Sequence, residues 1–220
     1  MNKRKLIQWL GLAGVLSFIS YALAVIFSPL AFPGYDWMSQ AVSDLSAETA
    51  PSRQLWEQLS AFYGTGGTIC LTCVAIYVSE NKIGGKLFRL GIYLFAVMHL
   101  VSTVGYKMFP LSDSGKEIES FQEVMHIVVT VAVVLLSILS LVFLIIAGIK
   151  KRQLRSIGVF AAIALGMMMV GSIGTGAAPK AYFGIVERFS VFAAVGFTAI
   201  LGLYLFAGFG KKKEAKNDRR

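Results

Sequence analysis

From Leu6 to Ile26 the chain runs for about the thickness of a bilayer's hydrocarbon core without a charged side chain. Five more apolar windows of similar reach follow, at Leu55 to Val78, Leu87 to Phe109, Phe121 to Ile149, Ile157 to Ala178 and Ile185 to Phe209. Lipid accepts such runs as helices, because a helix satisfies its backbone hydrogen bonds within one segment. The expected fold is therefore all-α, an integral membrane bundle of six transmembrane helices over residues 1–210, with a basic cytoplasmic tail at 211–220. A charged fraction of 15% and a mean hydropathy of +0.68 leave no stretch for a second, soluble domain.

Basic residues mark the topology. Lys3, Arg4 and Lys5 open the chain, Lys82, Lys86 and Arg89 follow the second window, and Lys150, Lys151, Arg152 and Arg155 follow the fourth. A last cluster, Lys211 to Arg220, closes the chain. Cytoplasmic loops are enriched in Lys and Arg, so both termini are expected in the cytoplasm of a bacterial or archaeal cell, with an uncleaved first helix. The net charge of +9 thus reports topology and gives no reason to expect nucleic acid. The connections Pro29 to Gln54, Pro110 to Ser120 and Pro179 to Gly184 then face outward.

The longest polar interruption is Ala31 to Arg53. Asp36 can cap a short helix there by accepting backbone N–H bonds. Trp37, Ala41 and Leu45 recur at i, i+4, i+8, with Met38 and Val42 beside them, opposite Ser39, Gln40 and Ser43. The spacing predicts a short amphipathic helix in this first outer loop, either a lid over the bundle or an interfacial anchor with Tyr35 and Trp37 in the aromatic belt. Pro51 fits the first turn of the second span.

Ionisable groups within or beside the windows collect near the outer ends: Asp44, Lys107, Asp113, Glu123, His126, Glu187 and Arg188. Charge in lipid is costly, so these are the residues to which function is assigned. Glu123 and His126 share one helical face, as does Gln122, but metal ligation would need more such ligands than this chain supplies, and His99 lies about 15 Å deeper by helical rise. Whether a metal or any other cofactor binds is left open. His126 can serve as a general base oriented by Glu123, Asp44 or Asp113, or can simply hydrogen-bond across the bundle. Cys70 and Cys73 form a CxxC inside an apolar window and are expected to pack rather than react. Gly64, Gly66 and Gly67, and Gly166, Gly171, Gly174 and Gly176, predict close helix approach.

Three stretches, DWMSQAVSDLSA at Asp36 to Ala47, FPLSDSG at Phe109 to Gly115 with the later His126, and GIVERFS at Gly184 to Ser190, resemble domain-of-unknown-function family 998, small polytopic membrane proteins of prokaryotes. The resemblance implies that Asp44, Asp113, His126, Glu187 and Arg188 are characteristic polar positions. The order of polar loop, histidine and six spans is also similar to DRAM, Frag and Sfk-type proteins.

The expected function is an outward-facing polar pocket, roofed by the first outer loop, that binds a membrane lipid headgroup or a small amphiphile. In it Arg188, Lys107, Asp113 and Glu187 would contact the ligand. The alternative is a hydrolase of lipid esters or amides, with His126, Glu123 and Asp44 as catalytic groups; a small transporter is the third reading.

Overall fold

The computed structural model describes residues 4–113 and 120–209, and the tail at 211–220 lies outside them. The chain is helical throughout the spans, as α1 (Leu6–Trp9), α2 (Leu12–Phe27), α3 (Arg53–Leu59), α4 (Ala61–Glu80), α5 (Lys86–Met108), α6 (Phe121–Lys150), α7 (Arg155–Ala177) and α8 (Phe183–Ala207). Six stretches are long and apolar enough to cross a membrane: Leu6–Ala31, Arg53–Glu80, Lys86–Met108, Phe121–Lys150, Arg152–Ala177 and Lys180–Ala207. The protein is a multi-pass membrane protein of six helical spans.

The first two spans are broken, and the gap in the second is bridged by side chains of α2. Ser60 separates α3 from α4, and α2 repairs the gap: the Ser20 hydroxyl donates to the Leu59 carbonyl and accepts from the Phe62 N–H, while Ser17 donates to the Tyr63 carbonyl at 2.7 Å. Both serines are buried. Pro51 precedes α3 by two residues instead of sitting in its first turn.

Neighbouring spans pack in chain order, α2 on α4, then α5, α6, α7 and α8, and α8 returns to α2 to close a ring, with α4 also reaching α8. Small residues set the closest crossings. A Cβ on Gly171 would strike the Ser190 backbone at 2.5 Å, and one on Gly174 would meet Val186 at 2.9 Å, so α7 and α8 close in there. Gly166 and Gly176 face open space, so the glycine pattern of this span is only partly a packing device.

Toward the end that carries the short basic loops, the ring is filled by Phe88, Phe95, Phe197, Leu141, Leu144, Ile157 and Leu201, all essentially inaccessible. Cys70 belongs to this core, its thiol set toward the Thr198 carbonyl. The opposite end, beneath the Ala31 to Arg53 loop, has a smaller cluster of Tyr21, Val25, Val42 and Val195, with Phe18, Trp56, Tyr63, Val191 and Phe192 against it. Its interior includes hydroxyl and imidazole groups. Tyr63 lies 4.7 Å from the Tyr21 ring and 5.6 Å from that of His99, which is buried and bonds the Gly64 carbonyl.

Candidate functional site

The site is built around the first loop and the start of α8. Asp36 caps a single turn, its carboxylate accepting from the Met38 N–H at 3.0 Å and from the Ser39 hydroxyl, and the Gln40 N–H reaches the Asp36 carbonyl at 2.8 Å. The Ser39 and Met38 bonds hold the Asp36 carboxyl below the usual carboxylate range. The predicted amphipathic helix stops there. In its place come turns and one 3-10 turn at Ser43–Ser46.

The reason is a substitution of hydrogen-bond partners. In a continuing α-helix the Ala41 N–H would go to the Trp37 carbonyl and the Val42 N–H to the Met38 carbonyl. Here Ala41 donates to Asp44 Oδ2 at 2.9 Å and Val42 donates to Glu187 Oε2 at 2.8 Å. The released carbonyls are taken by α8: Arg188 Nη1 donates to Trp37 at 2.8 Å, and the Ile185 N–H donates to Met38 at 3.2 Å. Each of these four backbone groups finds a new partner, so this turn of helix is exchanged for a clasp at little net cost in hydrogen bonds. The predicted stripe divides accordingly, with Ala41 and Leu45 turned inward and Trp37 left 54% exposed.

Arg188 is the centre of the clasp. Its Nη1 also reaches the Gln40 carbonyl at 3.1 Å and the Gly184 carbonyl at 2.7 Å, and its Nη2 donates to the Tyr35 hydroxyl at 2.7 Å. The Tyr35 hydroxyl in turn donates to the Ala41 carbonyl at 2.7 Å. Burial pushes the Tyr35 hydroxyl up to about 12, although the neighbouring guanidinium opposes the shift, so the phenol remains a neutral donor at ordinary pH. Gly184 makes the approach possible. A Cβ there would overlap the Gln40 carbonyl oxygen and lie 2.6 Å from that of Trp37.

Asp44 is 8% exposed and turned onto its own loop, with Glu187 and Tyr35 within electrostatic reach. Asp44, Glu187 and Arg188 therefore come together, and each holds the lid's backbone. Beside them is a cleft of about 300 Å³ lined by Val25, Ile26, Pro29, Tyr35, Trp37 and Arg188.

The other predicted residues belong to a second cluster at the tops of α5 and α6. Glu123 accepts from the Ser120 N–H at 3.0 Å, and Ser120 accepts from the Glu123 N–H, a capping box that starts α6. Gln122 donates to the Pro110 carbonyl at 2.9 Å, and His126 Nδ1 lies 2.9 Å from the Phe109 carbonyl. A carbonyl only accepts, so Nδ1 carries the proton and Nε2 holds the basic lone pair of the neutral ring. Tyr106 covers the imidazole at 4.9 Å and donates to Thr130. Asp113 accepts from Thr49 at 2.8 Å, and the Glu48 N–H donates to Leu111 at 2.9 Å, which ties the later half of the lid to this cluster.

Lys107 is exposed at the end of α5. Among the described residues the ion pair within 4 Å is Arg53 with Glu57, on the surface, and no group of three or more His, Cys, Asp or Glu side chains is placed to hold a metal.

Sequence reasoning missed the cleft's apolar wall and the part played by Gly184. A glycine opening an apolar run immediately before an acid–base pair was the available signal.

Six spans, and a lid bound to the start of the last span and to the connection between the third and fourth, define a polytopic helical membrane protein capped at one end. The sequence profile of the family described as "Protein of unknown function (DUF998)" matches residues 13–204, and the chain belongs to that family. No curated protein and no solved structure matches the chain.

Proposed function

We propose that this protein binds a lipid headgroup or a small amphiphile at the lid, in the cleft between the end of the first span and the start of the last. The cleft is the observation that carries this reading. Val25, Ile26 and Pro29 form an apolar wall, while Tyr35 and Arg188 bring hydrogen-bond donors to the same space. Amphiphile sites combine these properties: a mostly apolar concavity with a few polar groups that fix orientation. The lid faces outward and both termini are cytoplasmic, in keeping with the basic loops at the opposite end.

Lipid analysis of the purified protein tests the binding. A defined amphiphile should co-purify, and its retention should fall in Arg188→Ala; unchanged retention removes Arg188 from the site. A cysteine replacing Ser46 should react with an impermeant reagent from outside, and reaction only after lysis reverses the orientation.

A hydrolytic reading is favoured by one observation, the fixed tautomer of His126, which leaves Nε2 available to take a proton from water. It predicts turnover of a lipid ester or amide that disappears in His126→Ala. Absence of turnover across a lipid panel rejects it.

A further inference from the structure

The charge balance of the cleft and the side on which it opens say more about the ligand. Arg188 is held by three backbone carbonyls and a phenol, all uncharged; among the described residues no carboxylate lies within 4 Å of it, and Glu187 and Asp36 act on it from farther away. Of the five guanidinium N–H groups, Nη1 serves the carbonyls and Nη2 gives one to Tyr35. This leaves Nε–H and one Nη2–H without a protein acceptor among the described residues, two donors on one guanidinium. Guanidinium N–H donors of this kind are suited to the oxygens of a phosphate or carboxylate.

The rest of the cleft points to where such an anion comes from. Its wall belongs to the outer surface of the first span, where Ile26 is 62% exposed and the adjoining Phe27 and Leu30 are 44% and 81% exposed. Trp37 stands at the lid's edge of the same opening. On a membrane protein this surface meets acyl chains, so the cleft is open sideways to the bilayer.

We infer that the ligand is an anionic lipid of the surrounding leaflet, its phosphate or carboxylate on Arg188 and its chain along Val25, Ile26 and Pro29. This rests on the proposed binding function and narrows it to one charge class and one source. Such a lipid reaches the site without crossing the lid. Because Arg188 also holds the Trp37 and Gln40 carbonyls, a bound anion draws on the same guanidinium that keeps the lid in place, which couples occupancy to lid order.

Trp37 gives a direct readout. The full-length protein would be reconstituted in bilayers containing brominated-chain phosphatidylglycerol or brominated-chain phosphatidylcholine, and the quenching that vanishes in Trp37→Phe measured for each. The expected preference is about tenfold for the anionic lipid, the scale of a paired charge-assisted contact. It should be lost in Arg188→Gln and unchanged within about twofold in Lys180→Gln, which alters an exposed charge near the start of α8 without touching the cleft.

Equal quenching by the two lipids in the wild-type protein overturns the charge assignment, yet leaves amphiphile binding intact if a defined lipid still co-purifies. Displacement of the brominated anionic lipid by millimolar inorganic phosphate overturns the bilayer source, since the anion would then come from water. Quenching of Trp37 by neither lipid overturns the placement of the chain. The wild-type measurements decide these outcomes even if Arg188→Gln proves too unstable to purify.

Discussion

The two ends of the bundle are held by different forces. At the end with the basic loops, Phe88, Phe95, Leu144 and Leu201 fill the ring with inaccessible apolar side chains, and Arg4 lies over the Phe206 ring at 4.1 Å. At the lid end, Tyr35, Glu187 and Arg188 bind backbone carbonyls and N–H groups of one loop. Packed side chains share their contacts among many neighbours, whereas each of these hydrogen bonds has a single partner. The first end should therefore resist local change, and the second is expected to open as a unit while the spans stay assembled.

The contrast can be broken most forcefully from the packed end. Phe95→Ala removes a fully buried ring 5.2 Å from Phe197. Lipid offers no hydrophobic drive between helices, so the loss is chiefly one of packing, about 3 kcal/mol. It should appear as a lower temperature of global unfolding, and a melting temperature equal to that of the wild type would contradict the description of this end as the rigid one.

Gly184→Val should act only on the lid. Its Cβ meets the Gln40 carbonyl, so the loop must lift, at roughly 2–3 kcal/mol. A cysteine at buried Val42 should then become reactive toward a water-soluble thiol reagent while the helical spectrum is retained; continued protection would show that the lid has other anchors. Glu187→Ala strands the Val42 N–H and is expected to cost about 1–3 kcal/mol. The same labelling assay should place it below Gly184→Val, and the reverse order would mean that the carboxylate, not the close approach, governs docking. Tyr35→Phe removes the hydroxyl between Arg188 and the Ala41 carbonyl, an effect of about 1 kcal/mol. Labelling faster than in Glu187→Ala would make the phenol the main latch.

The spans and their order were legible in sequence because lipid imposes one solution on each apolar run. The clasp was not. Asp36, Trp37, Ala41 and Leu45 have helical spacing, and the helix begins where Asp36 caps it, but the nearby Asp44 carboxylate and tertiary partners 145 to 151 residues away take over its next hydrogen bonds. Local pattern contains no information on the distant part of that competition. Glu187 and Arg188 stood out as charges at a span's edge, yet the sequence could not tell a ligand contact from a backbone anchor. Lys107, equally conspicuous, is exposed at the end of α5.

Hydrogen exchange at the Ala41 and Val42 amides, measured on the protein in bilayer discs, tests the clasp most directly. Both amides should exchange slowly in the wild-type protein and at least about tenfold faster in Glu187→Ala, with the amides of α5 and α6 unaffected. Fast exchange of both in the wild type would contradict a lid held on α8.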